Sequence, residues 1–494
     1  MKTYITKPTR VKKSQIMTSG FSLSSMDFIN LKTNSNSISL RDLMNNFGKG
    51  KDFEEVQFVQ FETKYKYLKT GCLTSDNFLV NDNPTSYEFI KPNDYKEFHN
   101  SKRAIKKYDI LYTSTGSNNR IGDCALANED LENSYSSHIF KLNLKNNTQN
   151  FYIFAILKSS YGKESCDLLV PKAGIMRRGG DRFLDIQIPF PTIANHLEPQ
   201  QVQDLVSVLV QDIIDKEEQI KAKNQRIDQL IETELKDNQK NNTFNYKLPK
   251  ISEIKREGRM DTGLYDRKYK DISNLIQNYS KGFYFLDQKK IKPGQTPGDY
   301  IFADYQKNSQ FKSWITPKNI DGRTLSFKTY IRTKANTKVT KNSLIVNGIR
   351  YVGNGILADQ DSLIFCNQNT LIINQFGDQI KQSSLLCFLT SKFGKAMQLV
   401  QRNFGIVPIL YAENLCRVPI PDFPELKQVE IAKEYYNQVH PNQNLTLENY
   451  LELEKQRNLK LGIFQLNMEI FDLRNKLEEI VDRIVNEQPV DIFF

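Results

Sequence analysis

Only four histidines could serve as metal ligands or general bases in this chain: His99, His138, His196 and His440. None shares the spacing of a His-Glu-x-x-His helix or of any other paired metal site, so no zinc-activated water is indicated. Gly-x-x-x-x-Gly-Lys-Ser/Thr, which cradles nucleotide phosphates, does not occur, and neither does the Gly-x-Ser-x-Gly nucleophile elbow. The Asn/Asp-Pro-Pro-Tyr/Phe tetrapeptide that holds a flipped base in amino-methyltransferases is missing too. Pro421-Asp422 followed by Glu425-Leu426-Lys427 looks like a nuclease pattern. The gap is too short to set two carboxylates on adjacent strands.

The side chains placed to act are cationic. Lys172, Arg177, Arg178 and Arg182 surround Gly179-Gly180, where a backbone could approach a phosphate closely. Lys307, Lys312, Lys318 and Arg323 flank Trp314, and Arg332, Lys334, Lys338 and Lys341 fill a β-rich loop. Arg120 and Arg350 each stand just before a glycine, Gly122 and Gly353, and Asn354 follows the second. Arg, Lys, Asn and Gln are the side chains that contact phosphates and read base edges in a major groove. The candidate nucleic-acid contacts are therefore Arg120, Lys172, Arg177, Arg178, Arg182, Lys312, Trp314, Lys318, Arg332, Lys334, Arg350 and Asn354. Lys+Arg of 68 against Asp+Glu of 57 gives a net charge of +11, which favours a polyanionic partner.

The elements that must carry these residues come in a repeated order. A β-rich stretch ends at Ile188-Pro189-Phe190-Pro191 and leads into a helical run near Leu197 to Leu235. A second β-rich stretch ends at Val418-Pro419-Ile420-Pro421 and leads into a run expected from about Leu445 to Val485. Strand candidates are Val56–Phe61, Tyr108–Thr113 and Ile139–Leu142 in the first head, with Gly298–Phe302, Ser343–Asn347 and Thr370–Asn374 in the second. Helix candidates are Phe151–Ser160 and Ser383–Gln401. Asp109–Thr113 leads into Gly116 and Gly122 as Ser343–Val346 leads into Gly348 and Gly353, which aligns the heads at a strand-glycine loop.

In the second helical run Leu459, Ile463, Leu466, Ile470, Leu473, Leu477, Ile480 and Ile484 alternate four and three residues apart, the seam of a left-handed coiled coil. Val206, Ile213, Ile220 and Ile227 recur every seven residues in the first, with Lys216 and Lys223 among their companions. Packing the two helices against each other buries both stripes; self-association through the second helix is the alternative. A helix of about 40 residues spans on the order of 60 Å. The expected organisation is a lead-in over residues 1–52, a first head over 53–196, a first spacer helix over 197–240, a linker and second head over 241–425, and a second spacer helix over 426–494. The fold class expected is α+β: two similar mixed α/β domains separated by two long antiparallel coiled-coil helices. Six scattered cysteines without a Cys-x-x-Cys, no signal-like start and no apolar run near 20 residues give the expectation of a reducing, cytoplasmic setting without membrane contact.

The chain resembles the DNA-specificity subunits of Type I restriction-modification enzymes. The resemblance rests on Arg259-Met260-Asp261-Thr262-Gly263-Leu264-Tyr265, Gly294-Gln295-Thr296-Pro297, Ser313–Ile320, the two strand-glycine loops and both proline-marked helix entries. For the Gly-x-Thr-Pro and Trp-Ile-Thr stretches the first head offers only Gly48-Lys49-Gly50-Lys51 and Tyr65–Gly71. The resemblance implies two target-recognition domains, each contacting half of a split double-stranded DNA sequence, with the helices as a ruler. It implies docking of DNA adenine methyltransferase subunits, commonly two, and through them a restriction and translocation subunit, in a system of phage defence. The chain itself would be non-catalytic and bind no cofactor, with S-adenosylmethionine, ATP and Mg in its partners. A coiled-coil scaffold or dimerisation protein without DNA specificity is the other reading.

Overall fold

The computed structural model describes residues 4–8, 10–18, 29–54, 57–59, 61–81, 87–116, 120–170, 177–240, 244–260, 262–303, 309–326, 328–358, 364–403 and 407–492, with backbone only at 15, 18, 177, 178 and 256. Two compact units divide the chain. Unit 1 combines Met1–Glu217 with Pro441–Gln456 and Glu469–Phe494, and unit 2 combines Glu218–His440 with Arg457–Met468.

Unit 1 is built on β1 (Met44–Lys49), β2 (Phe58–Val59), β3 (Lys66–Leu68), β4 (Tyr87–Ile90), β5 (Ile110–Thr113), β6 (Cys124–Leu126), β7 (Asn133–Tyr135) and β8 (Ile139–Leu144). These form two four-stranded sheets, ordered β6-β5-β8-β1 and β7-β3-β4-β2. Helices α1 (Asn150–Lys158) and α2 (Ser160–Leu169) follow, then α3 (Pro199–Asp237), whose first half belongs to unit 1. Unit 2 repeats the plan with β9 (Ile291–Pro293), β10 (Tyr300–Ala303), β11 (Lys312–Ile315), β12 (Tyr330–Thr333), β13 (Leu344–Asn347), β14 (Gly355–Leu357), β15 (Ile364–Cys366) and β16 (Thr370–Ile373). Its sheets run β14-β13-β16-β9 and β15-β11-β12-β10. Each strand of unit 2 thus takes the place of the strand eight earlier, and β7 on β3 and β15 on β11 are the parallel pairs of the second sheets.

The repeat extends to backbone detail. In unit 1 the N–H of Gly50 donates to Ile139 O and that of Lys51 to Tyr135 O; in unit 2 Gly294 donates to Thr370 O and Gln295 to Cys366 O. A Cβ on Gly50 would overlap Ser136 O and one on Gly294 would overlap Asn367 O, so only glycine fits either crossing. Gly50-Lys51 is therefore the counterpart of Gly294-Gln295. Helices α4 (Gln379–Thr390) and α5 (Lys392–Gln401) stand where α1 and α2 stand, and both breaks are made alike. Ser159 accepts from the Gly162 N–H and donates to Ile156 O at 2.7 Å; Ser391 accepts from the Gly394 N–H and donates to Phe388 O at 2.7 Å. The helix expected over Ser383–Gln401 is thus two helices hinged on an N-capping serine.

Each head is closed by a two-stranded ribbon at its proline stop. Gln187–Pro189 pairs with Ser37–Ser39, and Ile420–Pro421 with Phe283–Tyr284. Proline suits such an edge because it has no N–H to give a further strand. Residues 37–49 lie in the expected lead-in, of which the sequence marks Ser39–Met44 as a short helix; they hold this ribbon, that helix over Leu40–Leu43 capped by Ser39, and edge strand β1. Of the strand expected over Val56–Phe61, Phe58–Val59 is formed, and residues 56 and 60 lie outside the described residues.

The second spacer is not one helix from Leu445. After α6 (Glu425–Tyr435) come α7 (Tyr450–Asn458) and α8 (Ile463–Val485), with a break between the last two. The Gly462 N–H donates to Asn437 O, and a Cβ there would overlap Asn437 N, so the chain turns where the end of α6 comes up against it. Within unit 1, Asn195 just ahead of α3 donates to Gln488 O beyond the end of α8, while Lys216 lies 3.1 Å from Glu469. The two helices accordingly run antiparallel there. Unit 2 draws Ile227, Ile231 and Leu235 of α3, Phe388 of α4, Tyr435 of α6 and Ile463 of α8 into one core. Burying each such side chain stabilises by about 1.5–3 kcal/mol.

Candidate nucleic-acid interface

In unit 1 the glycine loop after β5 runs through Thr115–Gly116, which pairs antiparallel with Arg177–Arg178: Arg177 faces Gly116 and Arg178 faces Thr115. Gly179 donates to Ser114 O at 2.9 Å, and Gly180, with φ of 56°, turns the chain to exposed Arg182. Exposed Arg120 precedes Gly122, whose φ is 81°. One ribbon thus gathers Arg120, Arg177, Arg178 and Arg182, residues up to 62 positions apart in sequence. Lys172 lies outside the described residues, as does Lys307.

Unit 2 builds the same loop. Leu410 donates to Gly348 O as Gly179 does to Ser114 O, and Asn347 donates to Asn354 O as Thr113 does to Asp123 O. Gly122 and Gly353 are therefore equivalent, as the sequence alignment of the loops expects, whereas Gly348 takes the place of Ser114 and not of Gly116. Arg350 is exposed and holds φ of 59°, a left-handed conformation that costs a non-glycine residue about 1–2 kcal/mol. Asn354 is half-buried and its Nδ2 donates to Ile320 O at 3.3 Å. Asp123, at the same place in unit 1, is buried and ion-paired with Lys163.

The second sheet of unit 2 places the other candidates. Trp314 packs against Phe302 with ring centres 4.5 Å apart and near Tyr300 at 6.3 Å. Half-buried Lys312 sits on the same strand; Lys318 is exposed in the turn Pro317–Asn319. Exposed Arg332 holds its guanidinium 5.8 Å from the Phe311 ring centre, with exposed Lys334 two residues on. Arg323, grouped with them by sequence, is buried instead. It donates to Asn224 and Thr390 and pairs with Asp228 at 3.1 Å, locking this head to its stretch of α3. In unit 1 Glu217 of α3 does that work by accepting from the N–H groups of Phe78 and Leu79, and burial raises its pKa. Tyr300 and Phe302, which stand beside Trp314, are not among the candidates named from sequence. Their mark in the sequence is an aromatic alternation flanking Ile301, which by itself indicates a strand.

A cavity of about 320 Å³ in unit 1 is lined by Lys49, Asp52, Ser114, Ser137, His138 and Phe140. Burial pushes the Asp52 carboxyl up, but hydrogen bonds from the Ser137 hydroxyl and backbone outweigh it and hold the group below the usual range. The corresponding cavity of unit 2, about 540 Å³, is lined by Pro293, Gly348, Asn369, Leu371, Leu410 and Tyr411 and is more apolar. Among the described residues no group of three or more His, Cys, Asp or Glu side chains could hold a metal ion. Burial pushes the Cys124 thiol up to about 11 and those of Cys366 and Cys387 up to about 12, so they are poor nucleophiles near neutrality. No helix among the described residues is long and apolar enough to cross a membrane.

Of the helical seam, Ile463, Leu466, Ile470, Leu477, Ile480 and Ile484 are buried and Leu473 is half-buried. Leu459 is exposed and lies in the break between α7 and α8.

No protein-family model matches the chain, and no curated protein matches it. Among solved structures it is similar to a Type I restriction-modification S subunit from M. genitalium, with 13% identity over 94% of this chain and 98% of that one and a TM-score of 0.37. It is also similar to the HsdS subunit from Thermoanaerobacter tengcongensis, with 12% identity over 91% and 96% and a TM-score of 0.27. A further neighbour comes from work on complex assembly and conformational transition of the type I R-M system, with 13% identity over 92% and 99% and a TM-score of 0.26. Overlays this loose carry no functional argument, which falls to the chain's own duplication.

Proposed function

We propose that this chain is the DNA-specificity subunit of a Type I restriction-modification enzyme. Each head reads one half of a split double-stranded sequence, and the antiparallel helices space the heads and dock two adenine methyltransferase subunits, with a restriction and translocation subunit reached through them. The chain supplies recognition and no chemistry; S-adenosylmethionine, ATP and Mg belong to the partners, and the assembly works in the cytoplasm. The observation that supports this reading is the strand-for-strand duplication, β1 to β8 repeated as β9 to β16, with an exposed arginine presented by the equivalent glycine loop of each. Two copies of one recognition fold suit a target that has two parts.

A native pull-down of the tagged full chain, with partners and stoichiometry determined by mass spectrometry, tests it. Recovery of an adenine methyltransferase at two copies per chain, with methylated split sites in the genome of the same cells, is the expected result. Recovery of the chain alone or self-associated rejects the proposal in favour of a scaffold.

A further inference from the structure

The second sheet of unit 2 carries an aromatic surface. Phe302 and Lys312 both lie opposite Ile331 in register, so with Tyr300 and Trp314 two residues away they share one face of the sheet. On the other face Ala303 and Ile315 are buried and Ile301 is exposed, while Ile331 lies buried beneath the ring face. Tyr300 and Phe302 are each 48% exposed. Their rings meet edge to face at 77°, and Trp314 is tilted 41° to Phe302, so the rings do not saturate one another by stacking. Apart from the buried, ion-paired Arg323, residues 311–341 hold seven Lys or Arg (312, 318, 328, 332, 334, 338, 341) against one acidic residue, Asp321. Open ring faces within a cationic field are the chemistry that binds unpaired bases strung on a phosphate backbone. A membrane would match the charge but has no flat partner for the rings.

We propose that Tyr300, Phe302 and Trp314 form a stacking platform for an unpaired base, with Lys312 on the same face holding an adjoining phosphate. This rests on the reading of unit 2 as a DNA-binding head and adds that it engages DNA whose pairing is locally opened.

Trp314 is the sole tryptophan of the chain, so its fluorescence reports this surface directly. The full chain is titrated with a single-stranded oligonucleotide, with the same sequence as a perfect duplex, with that duplex carrying three unpaired bases, with heparin and with phosphatidylglycerol vesicles. Saturable quenching by the single strand and the interrupted duplex, at concentrations at least about tenfold lower than for the perfect duplex, is expected. Tyr300→Leu/Phe302→Leu keeps an apolar cover but removes two ring faces, and should weaken single-strand binding about tenfold or more. Equal quenching by heparin or vesicles, or an unchanged affinity in the double variant, overturns the platform. Anisotropy of a labelled duplex separates the two proposals. Duplex binding without a Trp314 response rejects the platform and leaves the DNA-reading role standing, whereas single-strand stacking without any duplex binding does the reverse.

Discussion

Lys158 shows how a single side chain can set the behaviour of a head. It lies at the end of α1 and donates to Thr74 O at 2.6 Å, to Asn77 O and to Cys124 O at 2.8 Å, tying a loop and a strand to the helix. Burial lowers its ammonium to about 8, against about 10.4 in an unfolded chain. Between those values the unfolded chain keeps a proton that the folded chain has released, so raising the pH favours the folded state. Compared with Lys158→Met, the wild type should therefore gain stability from about pH 8 to pH 10, by at most about 3 kcal/mol; urea melts of both proteins across that range check it. The paired serines make a second residue-scale prediction. Ser159→Ala and Ser391→Ala each lose the same cap and should each cost about 1 kcal/mol, one in each unit. Arg323→Met is expected to cost about 1–3 kcal/mol, because it removes the buried donors to Thr390, Asn224 and Cys387 O, while Asp228 is exposed enough to be solvated.

Among elements, the break between α7 and α8 is fixed by Gly462. Gly462→Ala should force Asn437 aside and destabilise the protein by roughly 2 kcal/mol or more, which denaturant titration would read as a lowered midpoint. The break was hidden in sequence because the four-three spacing passes unbroken from Leu459 to Ile463, and the glycine beside it was the only mark. Much else at this scale was legible. The proline stops, the strand-glycine loops and the first long helix were readable because each is set by local chemistry: a missing N–H, a positive φ, a heptad stripe. The stretches Leu157-Lys158-Ser159-Ser160-Tyr161-Gly162-Lys163 and Leu389-Thr390-Ser391-Lys392-Phe393-Gly394-Lys395 also match and carry the repeat into the helix break of each head. Contact residues were less legible. Arg323 and Arg350 are the same type in similar surroundings of sequence, yet one is buried in an ion pair and the other exposed on a left-handed turn, a difference made by tertiary packing.

At the scale of the whole molecule, affinity for duplex DNA should fall steeply with salt, the logarithmic slope being about 0.9 per phosphate contact. Arg182→Ala and Arg350→Ala sit on different heads, so each is expected to weaken recognition of one half of the target only, by about 1–3 kcal/mol if it reads a base. Competition binding with duplexes altered in one half at a time measures this, and an equal loss on every duplex would contradict base reading.

The chain path through the two units also bears on how the protein is made. Unit 2 has all its residues once Met468 has been synthesised, while unit 1 waits for Glu469 onward, although its first strands were made hundreds of residues earlier. The ribosome therefore delivers the heads in one order and they are completed in the other. A premature stop at Glu469 would strip Ile470, Ile480 and Ile484 from unit 1, disabling the head encoded first while leaving every residue of the one encoded second.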